Sequence, residues 1–190
     1  MKYDIEIDTR SGYEMPDLVR VYMLVSERPM GRTSLIRETD LGEASVKTML
    51  KHLKSEGLIQ QGSRGAEPTE KWRRLFSFCN RFSKAVPVEV HDFSERFTFA
   101  VCVRNPSGLT TGIEQRDEGI KYGSRIMTFL KKHGKLALAG VDENPPEGTG
   151  NLPSECGEGD AVIVSAARER LPAMRGLLAV SYTHLTLPTN

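Results

Sequence analysis

The residues best suited to chemistry in this 190-residue chain lie between Glu43 and Ser55. Val46, Met49, Leu50 and Leu53 recur there at i, i+3, i+4 and i+7, the spacing of a helix that buries one stripe. At roughly 100° per residue, Ala44, Lys47, Thr48, Lys51 and Ser55 then point the other way, with Ser45 and His52 flanking them. None of these outward residues is acidic. Small side chains permit close approach to a polyanion, hydroxyls bond base edges or phosphate, and lysines neutralise phosphate. A helix of this kind suits the major groove of duplex DNA. Glu43 in the first turn complements the helix dipole, with a cytosine amine as its alternative partner.

A second polar cluster, Thr110 to Asp117, has a different character. Thr111 and Glu114 stand at capping-box spacing, which predicts a helix through Gln115 to Lys121 that stops near Gly123. Free backbone N–H groups at a strand-to-helix junction can hold an anion, and an arginine can clamp a carboxylate or phosphate. Thr111, Gly112, Glu114, Gln115, Arg116 and Asp117 are therefore the candidate ligand-binding residues, for a small anionic effector. The competing reading is a capped helix whose Arg116 and Asp117 form ordinary surface ion pairs. His91, His133, Cys102 and Cys156 show no metal-ligand spacing, so no metal is expected. No G-x-S-x-G, Walker loop or H-E-x-x-H occurs, so no catalytic residue or cofactor is assigned and the chain is not read as an enzyme.

Composition bounds these readings. The chain has 26 Lys+Arg against 25 Asp+Glu and is 38% apolar, the composition of a soluble globular protein. No stretch approaches the ~18 consecutive apolar residues of a spanning helix. Met1 to Glu6 opens with acids where a secretory signal would be basic and then apolar. Three cysteines, Cys79, Cys102 and Cys156, are odd in number and never in a C-x-x-C pair. They predict reduced thiols in a cytoplasmic protein and neither a disulfide frame nor a zinc ribbon. Charge is uneven: residues 17–84 hold 13 basic and 8 acidic side chains, residues 1–16 hold 2 and 4, and residues 85–190 hold 11 and 13. The middle segment is the part that can attract a polyanion.

The elements that position these residues follow from periodicity and punctuation. Asp17 to Glu27 reads as a first helix closed by Pro29 and Gly31, and Gly31 to Asp40 as a short second one, with Leu41-Gly42 as the tight break before the third. Gly57 stands where a helix takes its left-handed C′ residue. Leu58 to Gln61 and Ala66 to Pro68 then read as two short strands about Gly62-Ser63-Arg64-Gly65, with an arginine at the tip. Thr69 caps a fourth helix that brings Trp72, Leu75 and Phe76 to the core. Further on, Pro87 to Val90 and Phe97 to Val103 read as strands, the second with Phe97, Phe99, Val101 and Val103 on one face. Arg125 to Leu130 and Leu136 to Leu138 make a hairpin about His133-Gly134. Residues 141–159 read as a mobile loop, followed by a strand at Ala161 to Val164 and a helix near Pro172 to Ala179. The expected fold class is α+β: an N-terminal extension (1–16), a helical and winged domain (17–84), and a small α/β domain (85–180).

The run from Gly31-Arg32 through Leu41-Gly42-Glu43-Ala44-Ser45-Val46-Lys47 to Glu56-Gly57-Leu58-Ile59 and Pro68-Thr69-Glu70-Lys71 resembles the winged helix-turn-helix of prokaryotic transcription regulators. The resemblance implies that Ser45, Lys47, Thr48 and Lys51 face the major groove, and that Arg64 sits on a phosphate or in the minor groove. No arginine occurs on the third helix, so the commonest bidentate guanine contact is missing. Paired with Gly112-Ile113-Glu114-Gln115-Arg116-Asp117-Glu118-Gly119-Ile120, this winged helix resembles an archaeal two-domain family whose C-terminal part is domain of unknown function 4443. That resemblance supplies no ligand and no reaction. Residues 181–190, Ser181-Tyr182-Thr183-His184-Leu185-Thr186-Leu187-Pro188-Thr189-Asn190, resemble a translated sequencing adapter and are set aside as a non-native tail.

The expectation is a cytoplasmic, homodimeric DNA-binding transcription regulator that meets double-stranded DNA with its winged helix. The C-terminal domain would dimerise or sense a small anionic effector. Two alternatives stay open: a metabolite-acting enzyme domain with a winged-helix docking module, and a protein–protein interaction module.

Overall fold

A computed structural model of the chain describes residues 5–8, 10–91, 93–107, 109, 111–140, 152–153 and 155–183. Two compact units divide between Cys79 and Asn80.

In the first unit, helix α1 (Met15–Glu27) starts two residues before the sequence expectation. Pro16 occupies the first turn, where a missing N–H costs nothing, and the Asp17 carboxylate accepts the Glu14 N–H at 2.8 Å. Helices α2 (Arg32–Thr39) and α3 (Glu43–Ser55) are joined by a turn that the sequence secures locally. Asp40 is left-handed at φ 60°, the Thr39 hydroxyl donates to Leu35 O at 2.6 Å, and the same oxygen accepts the Leu41 N–H. The Arg20 guanidinium on α1 donates to Glu38 O and ties α1 to this turn. Helix α3 ends as its sequence predicts. Gly57 is left-handed, and the Leu58 N–H reaches back to Leu53 O at 2.8 Å, satisfying a terminal carbonyl.

Strands β1 (Ile59–Gly62) and β2 (Gly65–Pro68) form an antiparallel hairpin with Ser63-Arg64 at its tip. Met30 extends β2 on its other side: the Ala66 N–H donates to Met30 O at 2.9 Å, and the Met30 N–H returns a bond at 3.2 Å. Thr69 caps α4 (Glu70–Leu75), its hydroxyl accepting from the Trp72 N–H at 3.4 Å. Leu18, Leu35, Met49, Leu53, Leu58, Trp72 and Phe76 are fully buried. Tyr22, Trp72 and Phe76 meet with centroids 5.3–5.6 Å apart, an arrangement that adds edge-to-face attraction to the area buried.

The second unit is built on a five-stranded antiparallel sheet in the order β3-β4-β7-β5-β6, comprising β3 (Val86–Pro87), β4 (Phe97–Val103), β5 (Arg125–Lys132), β6 (Lys135–Leu138) and β7 (Ala161–Ala167). Helices α5 (Ile113–Lys121) and α6 (Arg170–Thr183) cover one face. On the other face Ala100, Cys102, Phe129, Val162 and Val164 pack with Val88, Val90, Leu152 and Cys156, which come from irregular segments. With both faces covered, all seven residues of the central β7 are buried. Left-handed His133 and Gly134 form the tight turn between β5 and β6, as expected. The fold is α+β.

Several expectations are corrected. The strand predicted at Pro87 to Val90 shrinks to Val86–Pro87. The alternation survives, with Val88 and Val90 buried and Glu89 exposed, but beyond Pro87 only the Val88 N–H reaches β4, at Thr98 O. The capping box at Thr111 does not form, because Gly112 takes the N-cap position at φ 76° with no side-chain cap. The unit boundary falls after Cys79 where the sequence placed it after Lys84. Arg81, Phe82 and Ser83 are bound to β4 and its end: Arg81 Nε donates to Arg104 O, Phe82 bridges Val103, and the Ser83 hydroxyl accepts the Cys102 N–H. Helix α6 continues to Thr183, past the expected end of the domain at 180, and Ser181 is buried with its hydroxyl on Leu177 O at 2.7 Å.

The largest correction concerns the thiols. Cys102 and Cys156, 54 residues apart, form a disulfide with their Cα atoms 5.7 Å apart, leaving Cys79 as the free, buried cysteine. Spacing along the chain could not show this, because the pair is made by the return of the chain onto the sheet. That return also corrects part of the mobile-loop expectation. Residues 141–151 and 154 lie outside the described residues, but the end of the segment is anchored. The Asp160 carboxylate accepts from the N–H groups of Asn105 (3.0 Å) and Gly157 (2.8 Å), and Lys131 Nζ donates to Cys156 O at 2.6 Å. Among the described residues no helix is long and apolar enough to cross a membrane.

Candidate nucleic-acid interface

Helix α3 carries the candidate interface, and its outward row survives folding. Ala44, Lys47, Thr48, Lys51 and Ser55 are exposed, while Val46, Met49 and Leu53 are buried and Leu50 is half-buried. Burying those apolar residues fixes the roll of the helix about its axis, so the polar row has one direction to face. Lys47, Lys51 and Arg64 have no hydrogen-bond or ion-pair partner among the described residues. Cations left unpaired on a rigid helix remain available to an incoming polyanion. Glu43 forms an exposed contact with Arg32 at 3.5 Å, consistent with its dipole role in the first turn. Ser45 is half-buried rather than free, because the N-terminal segment passes over it.

Arg64 is exposed at the tip of the β1–β2 hairpin. Its neighbour Gly65 has φ 133°, and a Cβ at that position would collide with the backbone of Met30 and Gly31. Only glycine allows the hairpin to lie so close to the start of α2. The base of the wing is thus clamped while its tip is open. Of the acids near this surface, Glu67 is half-buried with its carboxylate beside Gly62, and Glu56 is exposed, its backbone carbonyl accepting from Lys71 Nζ at 2.7 Å.

The second cluster, at the start of α5, is divided between surface and interior. Thr111, Glu114, Arg116 and Asp117 are exposed, Gly112 is half-buried and Gln115 is buried. Arg116 and Asp117 pair with each other at 3.5 Å. Gln115 faces the interior, with neither amide atom hydrogen-bonded among the described residues. Sequence reasoning missed a groove of about 1060 Å³ beside β4, lined by Val88, Val90, Phe93, Phe97, Glu95 and Arg96 among others. Arg125 pairs with Glu95 at 3.1 Å and lies over the Phe93 ring, which braces one wall. The only trace of this groove in the sequence is the alternation at 86–90, which reads equally well as a plain strand. Among the described residues there is no group of three or more potential metal ligands.

Residues 94–185 form a DUF4443 domain, matching the family model described as a domain of unknown function. No curated protein matches the chain. Among solved structures, hypothetical protein PH0730 from Pyrococcus horikoshii OT3 is similar, at 26% identity and a TM-score of 0.72, over 90% of this chain and 91% of its own. That likeness extends beyond the DUF4443 domain into the first unit, so the pairing of the two units recurs in an archaeal protein.

Proposed function

We propose that this chain is a DNA-binding transcription regulator whose winged helix meets duplex DNA through α3 and the β1–β2 wing. The observation that carries the reading is the row Lys47, Thr48 and Lys51 with Arg64 at the wing tip: exposed on a fixed helix and hairpin, with its cations unpaired among the described residues. Such a row neutralises phosphate without first breaking an internal ion pair. Lacking an arginine, α3 offers hydroxyls and lysines to the groove, which suits backbone-dominated binding with modest base reading.

The DUF4443 domain is the dimerising or sensing half of this reading. Ile113 and Ile120, seven residues apart on one side of α5, are 51% and 61% exposed, and an apolar pair of this kind supports a homodimer surface. For an effector, the groove beside Phe93 and Phe97 is a better place than the entry of α5, because its cavity is formed by the fold. The reading places the protein in the cytoplasm.

Fluorescence anisotropy with random duplex DNA at two salt concentrations tests the core of the proposal. Tight binding that collapses at higher salt is expected, because each phosphate-paired cation releases condensed counterions. A folded protein that binds no duplex at low salt would remove the proposal and favour an interaction module. Turnover of a phosphorylated or carboxylated metabolite would favour the enzyme alternative.

A further inference from the structure

The N-terminal segment preceding α1 is packed along the flank of α3. Ser45 and His52, seven residues apart, lie on one side of that helix, next to the outward row. Gly12, at φ 75°, approaches so closely that a Cβ there would collide with Ser45 Oγ. One residue on, Tyr13 is buried at 3% exposure, with its hydroxyl 2.7 Å from His52 Nδ1. Ser11 Oγ donates to Tyr13 O at 3.2 Å and closes the turn that presents the ring.

This contact sets the chemistry of the imidazole. Burial raises the Tyr13 phenol above its ordinary value, so the hydroxyl keeps its proton throughout the neutral range and can donate to Nδ1. In neutral histidine one ring nitrogen accepts and the other carries hydrogen. A hydroxyl donating to Nδ1 therefore leaves the hydrogen on Nε2. His52 is half-buried, one residue from Lys51 and one helical turn from Thr48, and no described residue engages Nε2. A flanking position on a groove-bound helix faces the groove wall, where the acceptors are phosphate oxygens.

We infer that His52 Nε2–H is a phosphate-binding donor at the edge of the DNA interface, and that Tyr13, outside the helix-turn-helix, is the positioning residue that fixes its tautomer and ring orientation. The inference rests on the duplex-binding reading above. It adds a directional contact to those of Lys47, Lys51 and Arg64. It also gives the N-terminal segment a part in binding.

The test uses the full chain, two duplexes of unrelated sequence at one low salt concentration, and nitrogen-15 NMR of the imidazole in the free protein. His52→Ala weakens binding to both duplexes by about tenfold, the scale of a hydrogen bond to a charged acceptor. Tyr13→Phe keeps the ring packing and weakens binding by about threefold on the same scale. The double variant is no weaker than His52→Ala alone, and His52→Gln, which keeps an N–H donor, recovers part of the loss. Wild type shows the Nε2–H tautomer, and Tyr13→Phe shows a mixture. Unchanged ring nitrogens in Tyr13→Phe overturn the positioning role, and wild-type affinity in His52→Ala overturns the contact. A loss confined to one duplex makes the partner a base edge and overturns the phosphate assignment. If wild type binds neither duplex, the duplex reading itself fails, and the tautomer measurement still decides the Tyr13–His52 half.

Discussion

Helices α3 and α5 make an instructive pair, one from each unit. Both follow a glycine N-cap with no side-chain cap, and both are rich in charged residues. On α5 the charges meet each other: Arg116 pairs with Asp117 at 3.5 Å, and Lys121 Nζ with Glu118 Oε2 at 2.6 Å. On α3, Lys47 and Lys51 face outward and meet no acid among the described residues. Charge content therefore does not distinguish a surface from a site. What distinguishes them is whether the fold neutralises the charge locally, since a paired cation must give up its partner before it can meet a ligand.

The largest expected effect breaks the comparison at its centre. Replacing Lys47, Lys51 and Arg64 together by Ala lowers the slope of log affinity against log salt by about three, one for each phosphate no longer neutralised. Arg116→Ala with Lys121→Ala leaves that slope unchanged. Lys51→Ala and Arg64→Ala each measured alone lower it by about one, and no change in either would remove α3 and the wing as the DNA face. Anisotropy titrations over several salt concentrations decide the matter.

Next in size is the disulfide, which belongs to the DUF4443 domain alone. Cys156→Ala removes the link across 54 residues and destabilises that domain by about 2–4 kcal/mol, read by denaturant unfolding. A thiol count checks the pairing directly. Cys79 is buried and its thiol pushed well above the ordinary range by desolvation, so the folded, unreduced protein shows no reactive thiol. Unfolding without reductant exposes one, and unfolding with reductant exposes three. Three reactive thiols without reductant would restore the reading of free cysteines.

The outer face of α5 gives a further contrast, apolar where α3 is cationic. Ile113→Lys with Ile120→Lys shifts sedimentation from dimer to monomer and lowers the apparent DNA affinity, because two half-sites are no longer joined. Sedimentation identical to wild type would place the dimer surface elsewhere. The smallest effect is at the buried Gln115, whose amide atoms have no described partner. Gln115→Leu is expected to stabilise the domain by about 1 kcal/mol, since a buried amide without partners carries its full desolvation cost. A fall in stability on this change would show that the amide has a partner.

The sequence by itself determined the local order of the first unit. Gly57 after α3, Thr69 before α4, and the i, i+3, i+4, i+7 spacing of Val46, Met49, Leu50 and Leu53 act within a few residues, so helix ends and the direction of the cationic row were legible without any distant contact. The His133-Gly134 hairpin was legible for the same reason, since its turn needs only two residues that accept positive φ. Tertiary structure alone decided the rest. The pairing of Cys102 with Cys156, the placement of β7 between β4 and β5, the burial of Gln115 and the contact of Tyr13 with His52 join residues that the sequence holds far apart or give no local signal of their orientation. Their physical cause is the need of the sheet to cover both faces, and of α3 to cover its flank. Periodicity shows which residues must be buried, and only the assembled fold shows what buries them.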